Sequence, residues 1–182
     1  MHYWQEKGAK NTEATVDAAC KRAKELGINH VVVASNSGAT AELFAGKGLE
    51  VVCVTHHVGF KGPGVDEMEP ETREKLREKG IKVLTTTHLL SGVDRALRFK
   101  FEGVYPAEIV SSSLRMFGQG VKVGVEISVM ALDAGLIPHG KEIIAVGGTG
   151  GGADTACVIM PDHSNRFFDT KIKEIICMPR EK

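Results

Sequence analysis

The sequence predicts an α/β protein, a three-layer α/β/α sandwich around a mainly parallel sheet, on three observations. Short apolar runs rich in β-branched residues recur, as in His30-Val31-Val32-Val33-Ala34-Ser35 and Glu142-Ile143-Ile144-Ala145-Val146. These runs are apolar throughout rather than in alternation, as strands covered on both faces are. Segments with helical spacing separate most of them, and one connection is too short for a crossover helix, which adds a single antiparallel strand.

The first helix follows Asn11-Thr12, where Ala14, Ala18, Ala19, Ala23 and Leu26 recur at helical spacing and Gly27 closes the element. It leads into the strand His30–Ser35. Asn36 to Thr40 then turns into a helix over 41–45, ended by Gly46 or Gly48, and Val51 to Thr55 is the second strand. His56 to Pro70 contains Gly59, Gly62, Pro63 and Gly64 and has neither period, so it reads as a functional or disordered loop. Pro70 suits the first turn of a charged helix through Lys79, with Gly80 ending it. Ile81 to Leu84 is a third strand, followed by helices over 91–99, 106–117 and 121–134, the last closed by Gly135 and Pro138. Glu142 to Val146 is the fourth strand. Thr155 to Met160 follows after too few residues for a crossover, so it pairs antiparallel or leaves the sheet. Phe167 to Met178 fits either a helix, through Ile172, Ile175 and Ile176, or an edge strand.

The chain has 182 residues, which at about 150 residues per domain reads as one domain over 1–182, without repeat or linker. Lys and Arg number 23 against 23 Asp and Glu, a balance that gives no reason to expect nucleic acid or an anionic membrane as partner. No apolar run approaches the roughly 18 residues of a bilayer span, and Met1 to Lys7 lacks a signal-peptide core, so a cytoplasmic location is expected. Cys20, Cys53, Cys157 and Cys177 form no Cys-x-x-Cys pair and have mostly apolar neighbours, which reads as buried, reduced thiols.

In an open parallel sheet, ligands bind beyond the carboxyl ends of the strands. Here those ends lead into Ser35 to Thr40, Thr55 to Gly59, Thr85 to His88 and Gly147 to Asp154, all polar or glycine-rich. Ser35-Asn36-Ser37-Gly38-Ala39-Thr40 leaves a strand and enters a helix, so its N–H groups, its hydroxyls and the positive helix end suit a phosphate; the alternative is an ordinary capped turn. Gly147-Gly148-Thr149-Gly150-Gly151-Gly152-Ala153-Asp154 holds five glycines in eight residues, which favours close approach to a ligand over a plain flexible loop. Asp154 would accept from a ribityl, ribose or amide group, or cap a turn. His56, His57 and His88 lie just past strand ends; adjacent imidazoles diverge there, so no metal site is expected, and one of them hydrogen-bonding a ligand is the reading kept. Gln119, Lys122 and Glu126 form a polar stripe, which means a solvated face unless the helix lies flat on the sheet and turns the stripe to the crevice rim.

Val31-Val32-Val33-Ala34-Ser35-Asn36-Ser37-Gly38-Ala39-Thr40-Ala41, taken with Ile143-Ile144-Ala145-Val146-Gly147-Gly148-Thr149-Gly150-Gly151-Gly152, resembles the C-terminal domain of pyruvate kinase, where two such loops hold a phosphorylated effector. Asn11-Thr12-Glu13, Thr55-His56-His57-Val58-Gly59-Phe60-Lys61, Leu114-Arg115-Met116-Phe117 and Ala134-Gly135-Leu136-Ile137-Pro138 extend the likeness over nearly the whole chain. It is similar there to the stand-alone pyruvate kinase C-terminal-domain-like proteins, mostly archaeal and without assigned activity. The resemblance implies that the first and fourth strands are adjacent and that their loops share one crevice. It does not imply kinase catalysis, whose site belongs to a barrel of about 250 residues. Where the kinase often has a basic residue after the loop glycine, Ala39 stands here, and the glycine loop has no arginine. Two phosphates would thus lack countercharges, which favours a mononucleotide, and flavin mononucleotide (FMN) is the cofactor the family's crevice implies.

The expected function is therefore binding of a phosphorylated small molecule, FMN, with a redox role open. Ser35, Asn36, Ser37, Gly38, Ala39 and Thr40 would hold the phosphate. His56 or His57 would approach the ring, with Thr55 beside them in the site, and Gly147, Gly148, Thr149, Gly150 and Asp154 would cover the ligand. A valine at Gly38 would block the ligand with the fold kept. The alternative is a non-catalytic sensor module for a phosphorylated metabolite. No residue is an unmistakable acid, base or nucleophile, and self-association into a homo-oligomer is left open.

Overall fold

A computed structural model describes residues 1–181. Seven strands form one sheet in the order β1-β7-β6-β5-β2-β3-β4, where β1 is His2–Trp4, β2 His30–Ala34, β3 Glu50–Val54, β4 Lys82–Leu84, β5 Ile143–Gly147, β6 Thr155–Met160 and β7 Lys171–Pro179. All run parallel except β6, which is antiparallel to both β5 and β7. The helices are α1 (Thr12–Leu26), α2 (Ala39–Glu42), α3 (Pro70–Glu78), α4 (Gly92–Phe101), α5 (Pro106–Arg115) and α6 (Gln119–Asp133).

β2 lies between β3 and β5, with Val31, Val32 and Val33 opposite Ile144, Ala145 and Val146, so the first and fourth predicted strands are neighbours. Alternation along β2 divides the core. Val31 and Val33 pack with Val16, Ala19 and Ala23 of α1, and Val32 packs with Val121, Val125 and Met130 of α6. The ambiguous segment 167–178 splits into a short 3-10 turn, Ser164–Asp169, and the strand β7. Its last residues, Ile176, Cys177 and Met178, are buried. β6, having β5 on one side only, needs a second partner for its backbone, and β7 supplies it. It is not the edge strand that the sequence offered as an alternative, because β1 pairs outside it.

One further expectation is corrected, and two that the sequence left open are decided. The helix after the first loop is a single turn, Ala39–Glu42, and not 41–45. Phe44 plunges fully into the core, and the backbone tightens to Phe44 N–H to Ala41 O and Ala45 N–H to Glu42 O bonds. The His56 to Pro70 loop has no regular element, yet it is fixed by a Gly59 N–H to Val65 O bond and by the buried side chain of Met68. α6 lies flat on the sheet with Lys122 and Glu126 both buried, so their stripe is not a solvated face. α4 and α5 form a peripheral hairpin in which Ser111 alone is buried. No helix among the described residues is long and apolar enough to cross a membrane.

Candidate functional site

The carboxyl ends of β2, β3 and β5 open into a cavity of about 890 Å³, roofed by the α4–α5 hairpin and walled by α6 and the His56 to Pro70 loop. Of the residues predicted for the site, Ser35, Asn36, Ser37, Thr40, Thr55, His56, Gly148 and Gly150 line it, while Gly38, Ala39, His57, Gly147, Thr149 and Asp154 do not.

The first loop is internally braced. The Ser35 hydroxyl accepts from Thr40 N–H at 3.2 Å, and Asn36 Oδ1 accepts from His56 N–H at 2.9 Å. Among the described residues, nothing accepts from the N–H groups of Ser37, Gly38 and Ala39, and the Ser37 and Thr40 hydroxyls have no protein partner. These are the donors the loop can offer an anion. α2 is too short to add a helix field, which builds over several aligned turns.

Gly38 does not face the cavity. Its φ is +79°, and a Cβ there would sit 2.8 Å from Leu76 Cδ1 and 3.2 Å from Thr72 Cγ2, against α3. The expectation that a side chain at this position would block the ligand is therefore wrong, because it would strike the core. Asp154 is likewise internal and fully buried. Its Oδ2 accepts from Gly8 N–H at 2.9 Å and Thr149 N–H at 3.1 Å, its Oδ1 accepts from the Thr155 hydroxyl at 2.8 Å, and its carbonyl accepts from Trp4 Nε1 at 2.8 Å. It ties the glycine loop to the chain's first residues. Gly152 serves the same seam, since a Cβ there would lie 2.3 Å from Thr12 Oγ1.

One wall is aromatic. The His56 ring stacks on Phe60 with centroids 3.8 Å apart, and His88 meets His56 edge-on at 5.3 Å. Burial pushes the His88 imidazole below its ordinary value; Glu126 opposes this, and His56, His57 and Lys122 add to it. His88 is thus a neutral ring at neutral pH. His57 turns away, its Nδ1 donating to Val58 O at 2.8 Å. No group of three or more His, Cys, Asp or Glu among the described residues is placed to hold a metal ion. Cys53 and Cys157 are pushed up to about 12 by burial, so they stay protonated, and all four cysteines are free.

The largest departure from the sequence reading is electrostatic. Lys61, Arg95, Arg98, Arg115 and Lys122 all line the cavity, so a ligand anion does not lack cations there. Three are neutralised: Lys61 by Glu67 at 2.9 Å, Arg98 by Glu108 at 2.7 Å, and Lys122 by Glu126 in a buried pair. Among the described residues Arg95 and Arg115 meet no carboxylate. Arg95 lies over Phe60 and Phe99 at 5.7 and 5.4 Å, and Arg115 donates to Ser111 Oγ at 2.6 Å and Gln119 Oε1 at 2.8 Å. Neutral partners orient Arg115 while leaving its charge to the cavity. These arginines come from the hairpin, outside the strand-end loops, and only the Gln119–Lys122–Glu126 stripe hinted that this side faced a crevice.

The family described as pyruvate kinase, alpha/beta domain, matches residues 13–159. Among solved structures, the chain is similar to pyruvate kinase from Cryptosporidium parvum at 17% identity, covering 86% of this chain with a TM-score of 0.43. A structure of the same organism's enzyme in complex with ADP matches at 17% identity over 84% of this chain, with a TM-score of 0.40. The chain spans 24% and 23% of the length of those two proteins.

Proposed function

The chain belongs to the pyruvate kinase alpha/beta-domain family, and from that premise we propose that its crevice binds a phosphate-bearing small molecule with a planar ring, FMN. The observation that carries this reading is the meeting, in one cavity, of the unpaired Ser37 N–H and the Ser37 and Thr40 hydroxyls, two arginines without a carboxylate, and the Phe60–His56 aromatic wall. A cavity of about 890 Å³ falls in the roughly 300–1,000 Å³ range of small-molecule and cofactor pockets. Ser37 offers the phosphate its N–H group and hydroxyl and Thr40 its hydroxyl, with Arg95 or Arg115 supplying countercharge. Phe60 and His56 offer the ring a face. A bound flavin would supply hydride or single-electron chemistry; the chain's own part is to bind, orient and exclude water. The free cysteines suit a reducing compartment, the cytoplasm.

The visible spectrum of the purified protein, followed by titration with FMN, tests the reading. A yellow preparation, or uptake of added FMN with quenched flavin fluorescence, supports it; a colourless protein that takes up no flavin rejects FMN. A second reading, the non-catalytic sensor of a phosphorylated metabolite, is favoured by the apolar surface of the α4–α5 hairpin away from the cavity lining, where Val93, Val104 and Met116 are each at least 70% exposed. Ligand-linked association without redox change would select it.

A further inference from the structure

His56 stands between two partners that make opposite demands on it. Glu67, whose side chain is 9% exposed, accepts from His56 Nδ1 at 2.6 Å and from Lys61 at 2.9 Å. Burial opposes ionisation of Glu67, but these two hydrogen bonds outweigh it and hold the carboxyl below its usual range, so Nδ1 must carry the hydrogen. On the other side, Nε2 lies 3.3 Å from Asn36 Nδ2. The orientation of Asn36 is fixed by its Oδ1, which accepts from His56 N–H at 2.9 Å, so the atom facing the imidazole is the amide nitrogen, a donor only. Nε2 therefore offers a lone pair. Glu67 requires the ring to donate; the Asn36 amide requires it to accept.

The remaining neighbours leave that balance to the cavity's contents. Phe60 stacks on His56 and carries Arg95 over its own ring, His88 is a neutral ring at its edge, and His57 lies beyond against His88 and Phe60. Arg95 and the Lys61–Glu67 pair line the same wall of the cavity. Asn36 and His56 both line the cavity beside Ser37 and Thr40, the proposed phosphate donors.

We propose that the crevice takes up one proton with its anionic ligand, at His56 Nε2, and that this turns the Asn36 amide from the imidazole to the ligand. A solvent proton adds to the Nε2 lone pair, an N–H bond forms, and no other covalent bond changes. The imidazolium is held by Glu67, and the ligand's charge compensates it. The inference rests on the reading of the crevice as a phosphate site. It makes Glu67 a positioning residue for His56 and gives Asn36 a role that depends on the ligand.

Isothermal titration with FMN between pH 7 and 9, where a phosphate monoester with a second pKa of about 6 is mainly dianionic, and separately with inorganic phosphate from pH 8 upward, tests this. Two buffers that differ in ionisation enthalpy should report close to one proton taken up per ligand, with affinity falling by up to about tenfold per pH unit across part of that window. His56→Gln should bind more weakly, with no uptake and a flat profile, and Glu67→Gln should reduce both uptake and neutral-pH affinity. Nitrogen-15 spectra of the wild-type imidazole need no variant to fold: Nε2 should be unprotonated in the free protein at pH 8 and protonated at saturation with phosphate. Binding with pH-independent affinity and no proton uptake overturns the inference. Phosphate bound with uptake while FMN fails to bind would remove the flavin and leave the inference standing, and failure of both probes to bind would remove both.

Discussion

Gly38 shows how one residue can be singled out correctly and understood wrongly. Its place after a strand and before a helix marks it as special, but only the folded α3 reveals that the space beside it belongs to Leu76 and Thr72. Gly38→Ala should therefore destabilise the protein by about 2 kcal/mol, from positive φ and overpacking together, as read from the urea midpoint. Full stability in that variant would contradict the packing. Asp154 is a similar case: its partners are Gly8, Thr149 and Thr155, and the two outcomes left open for it in the sequence, ligand contact or turn cap, resolve toward the turn. Arg115 was quoted in the sequence only as part of a likeness, since nothing along the chain shows that its guanidinium faces a cavity with neutral partners alone. Arg115→Met should weaken FMN binding by roughly 10- to 100-fold, the worth of one charge-assisted hydrogen bond of about 1.5–3 kcal/mol, in a fluorescence titration. Unchanged affinity would exclude Arg115 from the site.

At the level of elements, α6 carries the most information. Twelve of its fifteen residues are buried, including the Lys122–Glu126 pair, whose Glu126 also accepts from Leu90 N–H at 2.8 Å. Removing one partner leaves a desolvated charge, so Lys122→Met should cost about 3 kcal/mol, and replacing both Lys122→Met and Glu126→Leu should recover most of that. Thermal melts of the two variants check the order. The far end of α6 is clasped to the Ser164–Asp169 turn, with Asp133 accepting from His163 Nδ1 at 2.8 Å and from Ser164 N–H at 3.3 Å. Burial works against ionisation of Asp133, but those bonds win and lower its value; Asp162 is lowered chiefly by the backbone N–H of His163. Carboxyls depressed in the fold add stability that is present above the ordinary value of about 3.9 and lost as pH falls through the lower folded value. The urea midpoint should drop between about pH 5 and pH 2.5, and Asp133→Asn should drop less over that range; an equal drop would clear the clasp of any part. The helices and buried strands of this chain were legible because each announces itself over several residues. β1 was not, having three residues and a partner at the other end of the chain.

For the whole molecule, alternation of apolar runs and helical spacing was enough to give the layers and the sheet edge where ligands collect, while the strand adjacency came from the resemblance to the kinase domain. The charge of the crevice was beyond it, because the α4–α5 hairpin is placed by tertiary packing that no local pattern encodes, and the neutrality of the chain as a whole hides two uncompensated arginines in one cavity. The register of β1 on β7 has one more consequence. His2, Tyr3 and Trp4 pair with Cys177, Met178 and Pro179, so during synthesis β1 waits without this hydrogen-bonding mate until β7 has been made. Because Trp4 and Gly8 also hold Asp154 and hence the glycine loop, that wall of the cavity reaches its final shape only once β7 is in place. A nascent chain stalled short of Cys177 should thus leave the loop loose even where the central strands have already assembled.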